Sequence, residues 1–599
     1  MKKLFVILLA VVLGTLLLTG TSPKQKTGDP EVTVPLRFDY YYSYEMVCEA
    51  LEKLHKAYPQ LTRLDLVGKS DEGRAIYALT INNPKTGNEN DKPGIYADGN
   101  IHGNEIQASE VCLYLADYLL KNYGVIDEIT KLVDKKSFYI IPSVNVDGRY
   151  HFFHDGQHSS SGRTIYVPVD DDRDGLIDED PFDDLDGDGN ICRMRKKDPN
   201  GSFIVDPDDP RIMKSVEPGK KGDYIMLGFE GIDNDGDGRI NEDVPGYVDG
   251  NRNFGFDWQP PYVQNGAGEY PFQGVGLKAI AEYVMKHPNI CMAWTFHNTG
   301  GMYLRGPSSK LLGEYPISDV QVYDYIGKQA ERITPGYRYL LSWKDLYTTY
   351  GDSGEFMANL AGCFSLVGEL SITKDESFKT FAENQKEAID SAKKGGEDEE
   401  DFDFMRYSDL EKEHLKYQDN LAQGELFVDW HPYKHPVYGD IEIGGWVKYS
   451  QRMPPAFMIK DMVHRNASAV IFSAKQTPEV SMEVFETKKI GDDLYRIRVR
   501  LGNANAIPTM TALAEKQNLY PKDMLKVSGK NIRVIAGGVL RDKYTDQVSY
   551  KDKRPEVQFL LIYGFSTFEY QFLVSGSGSV SFDYSSRHAG KITRTIQLQ

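Results

Sequence analysis

Gly94-Ile95-Tyr96-Ala97-Asp98-Gly99-Asn100-Ile101-His102-Gly103-Asn104-Glu105 is the stretch on which the fold turns. The short run Gly94–Asp98 reads as a buried strand. A polar loop follows, and Glu105 to Lys121 then reads as a helix. Strand, loop and helix form the opening unit of an α/β domain, and open α/β sheets place their sites at the carboxyl ends of strands. His102 and Glu105 stand there, three apart. At a helix start that spacing puts both side chains on one face. An imidazole nitrogen and a carboxylate so placed can share one zinc ion, given a third ligand and an open position.

Working outward, the same rhythm continues. Ser43–Tyr58 has Met46, Ala50, Leu51 and Leu54 on one face, a Ser to cap it and Pro59 beyond its end, which predicts a helix. Strands are expected at Leu64–Val67, Ile76–Ile81, Phe138–Ile141, Ile290–Phe296 and Cys363–Leu370, and a helix at Leu277–Lys286. The reading is an α/β domain with a largely parallel or mixed sheet. From Gly156 to Tyr247 the chain is rich in Asp and Gly and poor in apolar periodicity, so it reads as an insert. After about Pro478 period-two alternation takes over. Tyr495, Ile497, Val499 and Leu501 alternate with Arg496, Arg498 and Arg500, the mark of half-buried strands and here of an antiparallel β-sandwich. The expected division is a leader over 1–22, a catalytic domain over 36–477 with its insert at 156–247, and a β-sandwich over 478–599.

The chain has 599 residues and a formal net charge of −19, which argues against nucleic acid as a partner. Lys2 and Lys3 precede an apolar run from Leu4 to Leu18, the layout of an export signal. Export to the periplasm or the extracellular space is therefore expected, with membrane contact only through this segment if it stays uncleaved. The five cysteines are widely spaced and read as buried hydrophobes rather than a disulfide framework. The acidic run Glu397–Asp401 reads as a solvated loop.

Two more residues belong with His102 and Glu105. His297 ends the apolar strand Ile290–Phe296 and is the candidate third ligand. Glu369 sits in the apolar strand Phe364–Leu370, where an unpartnered carboxylate would be costly, and suits a base that deprotonates an attacking water. Together with Asn145-Val146-Asp147-Gly148-Arg149, Asp249-Gly250-Asn251-Arg252-Asn253-Phe254 and Tyr350-x-x-Ser353-Gly354, in this order, the set resembles the carboxypeptidase A/B-type zinc carboxypeptidase family over roughly Asp39 to Leu370.

The resemblance implies a mixed eight-stranded sheet flanked by helices and a zinc metallocarboxypeptidase acting on peptides or proteins with a free C-terminus. It implies His102, Glu105 and His297 as zinc ligands and Glu369 as the base. Asn251 and Arg252 would grip the terminal carboxylate, and Tyr350 would be the mobile tyrosine that closes over it. Asp249 would orient the first zinc histidine. Arg195, favoured over Arg193, would be the arginine that stabilises the oxyanion.

The insert has a chemistry of its own. Asp170-x-Asp172-x-Asp174-Gly175 leads on to Asp178. Asp184-x-Asp186-x-Asp188-Gly189 and Asp233-x-Asp235-x-Asp237-Gly238 repeat the pattern. Alternate carboxylates with Gly at the sixth place resemble calcium-binding loops. Two other readings stand beside the carboxypeptidase. One is a cell-wall peptide amidohydrolase of the same fold. The other is a non-enzymatic calcium-binding surface protein, against which the full set of zinc and base residues argues.

Overall fold

The structure, a computed structural model, describes residues 34–168, 170, 173–371, 404–542 and 544–598. The leader, Asp172 and the acidic run at 397–401 lie outside the described residues. No helix among the described residues is long and apolar enough to cross a membrane.

Helix α1 (Tyr44–Ala57) starts where Ser43 accepts a hydrogen bond from the Met46 amide, and it buries Val47, Ala50, Leu51 and Leu54. Strands β1 (Thr62–Lys69), β2 (Ala75–Ile81) and β3 (Gly94–Gly99) follow, then helices α2 (Gln107–Asn122) and α3 (Asp127–Lys135), strand β4 (Ser137–Ile141) and helix α4 (Val146–His154). Helix α2 begins two residues later than the sequence suggests. Glu105 is therefore held by the turn before the helix, where its amide donates to the His102 carbonyl at 3.0 Å.

The insert is not structureless. It contains β5 (Arg193–Gly201), β6 (Phe203–Val205), β7 (Met213–Ser215) and β8 (Gly222–Phe229). Helix α5 (Val275–Lys286), β9 (Ile290–Asn298), β10 (Met302–Arg305), α6 (Ile317–Ile333), β11 (Arg338–Leu341), α7 (Ser353–Phe356) and β12 (Phe364–Leu370) return the chain to the main sheet. After α8 (Phe404–Asn420), β13 (Phe427–His435) and β14 (Gly439–Trp446) join the insert's strands in a six-stranded sheet ordered β13-β14-β5-β8-β6-β7. Arg193 and Arg195 therefore belong to a second sheet built from two distant stretches of chain. Helix α9 (Ile459–Lys475) follows it.

The main sheet has eight strands in the order β1-β2-β4-β3-β9-β12-β10-β11. Its centre, β4-β3-β9-β12, is parallel. These strands are continuous apolar runs because helices cover both faces. Residues of α1, α2, α6 and α9 pack on one face and those of α5 on the other. In the β9–β12 register His297 stands opposite Glu369.

The C-terminal region folds as read. Strands β15 (Val480–Lys489), β16 (Leu494–Asn503), β17 (Asp523–Gly529), β18 (Ile532–Asp542), β19 (Gln547–Tyr550), β20 (Val557–Leu560), β21 (Ser566–Gly576), β22 (Gly578–Ser586) and β23 (Gly590–Leu598) form a five-stranded and a four-stranded sheet. Their inner faces share one core. On β16 the apolar residues point inward, while Arg496, Arg498 and Arg500 pair with Glu486, Asp546, Glu483 and Glu569. A short helix, α10 (Ala512–Gln517), docks this sandwich on the α/β domain. The buried Asp319 carboxylate accepts from the Ala512 and Leu513 amides at 2.9 and 2.8 Å.

Candidate active site

The loop after β3 is shaped by Asn100, whose φ of 61° is the left-handed conformation that Asn tolerates. Its Nδ2 donates to the carbonyls of His102 and Gly103 at 2.7 and 3.0 Å. A Cβ on Gly103 would stand 2.3 Å from the Gly162 carbonyl oxygen and 2.5 Å from Gly148 Cα, so only glycine lets the α4 turn pack on this loop. His102 Nδ1 lies 2.9 Å from Glu105 Oε1, and His297 Nδ1 lies 3.0 Å from Glu105 Oε2 and 3.2 Å from His102 Nδ1. All three side chains are buried, and their ligating atoms lie within 4.8 Å of one another. His102 Nε2 is 2.9 Å from Asp249 Oδ1, which fixes the tautomer that leaves Nδ1 free as a ligand. Two imidazole nitrogens and one carboxylate, oriented in this way, fit zinc.

Glu369 projects from β12 beside His297. Burial pushes its carboxyl up to about 7; the His297 charge opposes this and the Glu105 charge adds to it. Burial would also raise Asp249, yet the charges of His102 and Arg163 hold it well below the usual carboxylate range. Asp249 caps the turn Gly250–Arg252 by accepting from the Asn251 amide at 2.8 Å. Asn251 Oδ1 in turn accepts from the amide and hydroxyl of Ser353 at 2.9 and 3.1 Å. Gly351, at φ 66°, passes so close that a Cβ there would sit 2.4 Å from the Arg252 carbonyl oxygen. The two motifs that the sequence holds a hundred residues apart therefore meet, and they meet beside the zinc trio.

One assignment changes. Arg195 is not at the trio. Its Nε pairs with Glu442 at 2.7 Å, and its guanidinium lies over the rings of Trp430 and Tyr224 at 4.2 and 4.8 Å, inside the second sheet. Arg163 holds the place expected of it. Its Nη1 is 3.2 Å from Glu105 Oε1, and its Nε donates to Asp249 Oδ2 at 3.1 Å. The Gly103 amide donates to its carbonyl at 3.2 Å and anchors it to the zinc loop. The signal was a Gly-Arg pair shortly after Arg149, hidden by starting the insert at Gly156. Tyr350 is half-buried and tied through its amide to Gln264 at 3.2 Å. Tyr347, three residues earlier, is 51% exposed and lies within electrostatic reach of Arg163.

The Asp-rich loops gather in a different grouping from the one expected. Asp184, Asp186 and Asp188 converge, as do Asp233, Asp235 and Asp237. Asp174 converges instead with Glu179 and with Asp235 of the other loop. Asp170 turns its carboxylate onto the amides of Asp174 and Gly175 at 3.1 Å. The Asp178 amide donates to Asp243 at 3.1 Å, and a backbone bridge joins Asp180 to Asp243. The first and third loops are thus one paired unit.

Residues 47–200 match the family described as zinc carboxypeptidase, and residues 479–597 match a domain of unknown function (DUF8731). Carboxypeptidase D of Anas platyrhynchos is 34% identical over 143 residues, which are 24% of this chain and 10% of that protein. Carboxypeptidase D of Homo sapiens is 39% identical over 109 residues, 18% of this chain and 8% of that protein. Carboxypeptidase M of Mus musculus is 32% identical over 129 residues, 21% of this chain and 29% of that protein. The chain thus spans a tenth or less of the length of these carboxypeptidase D relatives. Among solved structures, carboxypeptidase A from Helicoverpa armigera aligns at a TM-score of 0.38 and 20% identity, covering 57% of this chain and 68% of that one. The match to the zinc carboxypeptidase family covers the stretch that holds His102 and Glu105, and β9 and β12, beyond the matched residues, bring His297 and Glu369 beside them.

Proposed function

We propose that the protein is a zinc metallocarboxypeptidase that hydrolyses the C-terminal peptide bond of peptides or proteins. The observation that carries this reading is the meeting of three parts: the buried His102–Glu105–His297 trio, Glu369 on the adjoining strand, and the Asn251–Arg252 turn hung from Asp249. Zinc, when bound, supplies Lewis acidity at the trio. Arg252, a guanidinium fork, pairs with the substrate's terminal carboxylate beside Asn251, which restricts cleavage to the last bond. Glu369 takes the proton of the attacking water and hands it to the departing amine. Arg163 faces the carbonyl oxygen as charge develops on it. Release of C-terminal residues from a peptide library by the wild type, lost in Glu369→Gln, is the expected result. No release by either protein would sink the reading.

Export fits the lysine-led apolar run from Leu4 to Leu18, and a cell fractionation that finds the protein in the cytoplasm would refute it. Calcium is the second ion of this reading, held by the Asp-rich loops. It is favoured by two carboxylate pairs, Glu179 with Asp243 and Glu242 with Asp180. Burial and then the shared hydrogen bond push Glu179 and Glu242 up to about 7, a repulsion that a divalent cation relieves. Chelation should lower the calorimetric melting temperature. Unchanged melting without calcium binding would end this assignment.

A further inference from the structure

Two arginines, Arg452 at the active site and Arg193 on the second sheet, share one neighbour, His158. Arg452 lies between β14 and α9, outside the stretch that matches the family. It forms a reciprocal clamp on the residue after His297: its Nη1 donates to the Asn298 carbonyl at 3.1 Å, and Asn298 Nδ2 donates to the Arg452 carbonyl at 2.9 Å. The same Nη1 is 3.5 Å from Glu105 Oε1. Its charge is felt at Glu369 and at His158. The His158 ring stacks on Phe229 with centroids 4.2 Å apart, and the Arg193 guanidinium lies over Phe229 at 4.6 Å. Arg193 is exposed, and no carboxylate among the described residues lies at ion-pair distance from it. Burial, then Arg193 and Arg452, push His158 down to about 4, so it is neutral, and the acids within reach of the two guanidiniums are Glu411 and Glu105. The chain as a whole carries −19, so this pair of arginines runs against the overall charge.

The position of Arg452 relative to the trio follows from the contacts. The Arg252 amide donates to the Asp249 carbonyl, Asp249 holds His102, His102 meets Glu105, and Glu105 meets Arg452. Arg452 thus reaches the trio at Glu105, on the oxygen that Arg163 also approaches, while Arg252 reaches it through Asp249 and His102. A chain held at Arg252 that passes the trio on the side of Glu105 would meet Arg452 there.

We propose that Arg452 and Arg193 form a subsite for an acidic side chain just before the scissile bond, so that the enzyme selects peptides with Asp or Glu upstream of the C-terminal residue. This rests on the carboxypeptidase reading above. The test is kcat/KM on paired peptides that differ only by Glu or Gln at the penultimate position or the one before it. The Glu peptide should be favoured about 10-fold, the ratio that roughly 1.4 kcal/mol from one partly shielded charge pair gives. Arg193→Ala and Arg452→Ala should each bring the ratio toward one, and Arg452→Lys should keep part of it. Calorimetric binding to the inactive Glu369→Gln protein should show the same ratio in Kd. Raised salt should shrink it. Equal rates and affinities in the wild type, or a preference that survives both alanine variants, would overturn the subsite and leave the carboxypeptidase standing. Release from none of the peptides would overturn both.

Discussion

Asp249 serves three groups whose places decide the site: His102 Nε2 at 2.9 Å, Arg163 Nε at 3.1 Å and the Asn251 amide at 2.8 Å. Asp249→Asn keeps the size and one acceptor but removes the charge that holds the Arg163 guanidinium and orients His102. Zinc affinity should fall about 10- to 100-fold by chelator competition, as partners of metal-bound histidines do when changed. Unchanged affinity would mean that His102 needs no such partner. A second carboxyl makes a prediction about pH. Burial, then the Asp352 charge, push Glu355 from 4.5 to about 8, while Tyr315 and the Ser308 amide bond to it. Between those values the folded protein holds a proton that the unfolded chain has lost. This contribution to stability is therefore fullest at low pH and fades as pH rises through about 8. Glu355→Gln should flatten the decline in melting temperature between pH 5 and pH 8. A decline as steep as that of the wild type would show that Glu355 is ionised in the fold. Residues of the first kind were legible: His102, Glu105, His297 and Glu369 announce themselves at strand ends. Arg163 was not, because its role depends on a loop packing against Gly103, and no spacing rule reports such packing.

The motif Asn145–Arg149 shows how an element can carry a sequence signature for reasons of packing. Asn145 caps α4 by accepting from the Gly148 amide at 2.8 Å. Arg149, fully buried, then bonds Glu110 at 2.9 Å, the Ile106 carbonyl at 2.9 Å, Ser109 Oγ at 2.8 Å and the Tyr42 carbonyl at 3.0 Å. One guanidinium thus joins α4, the start of α2 and the approach to α1, just behind the turn that presents Glu105. Arg149→Ala leaves Glu110 buried without its cation and should cost about 3–5 kcal/mol in denaturant unfolding, the usual penalty for half of a buried pair. A loss under about 1 kcal/mol, the size of a surface pair, would mean that water replaces the side chain. At this scale the parallel strands and the amphipathic helices could be read, because burial on one or both faces writes a period into the sequence. The four strands of the insert could not. Two of them have only three residues, β5 is almost wholly polar, and their sheet is completed by β14, which pairs with β5 from more than two hundred residues away, and by β13 beyond it. Arg195 was misplaced for the same reason, since its partner Glu442 comes from β14.

At the scale of the molecule, the β-sandwich is tied into the wall of the active site. Ile507 and Leu513 enter the main core, and Arg587 Nε donates to the Pro288 carbonyl at 2.7 Å. Gln517 Nε2 donates to Asn359 Oδ1 at 2.8 Å, and Asn359 Nδ2 donates to Glu355 at 2.7 Å. Glu355 belongs to α7, whose first residue, Ser353, holds Asn251. The sandwich therefore braces the segment that positions the terminal-carboxylate pair. The shift from mixed to alternating patterning after Pro478 marks where this domain begins, but nothing in the alternation says what it leans on. The hinge of the contact is Asp319, which accepts from two amides at the start of α10. Asp319→Ala strands both donors in a buried interface and should cost about 1–3 kcal/mol there. The wild type should melt in one calorimetric transition, because Ile507 and Leu513 of the C-terminal domain are buried in the main core. In Asp319→Ala the sandwich should separate as an earlier transition, and KM for peptides should rise with kcat less affected, since Asn251 loses its brace before Glu369 loses its place. Two transitions already present in the wild type would show that the domains are energetically independent, and the KM effect should then vanish with them.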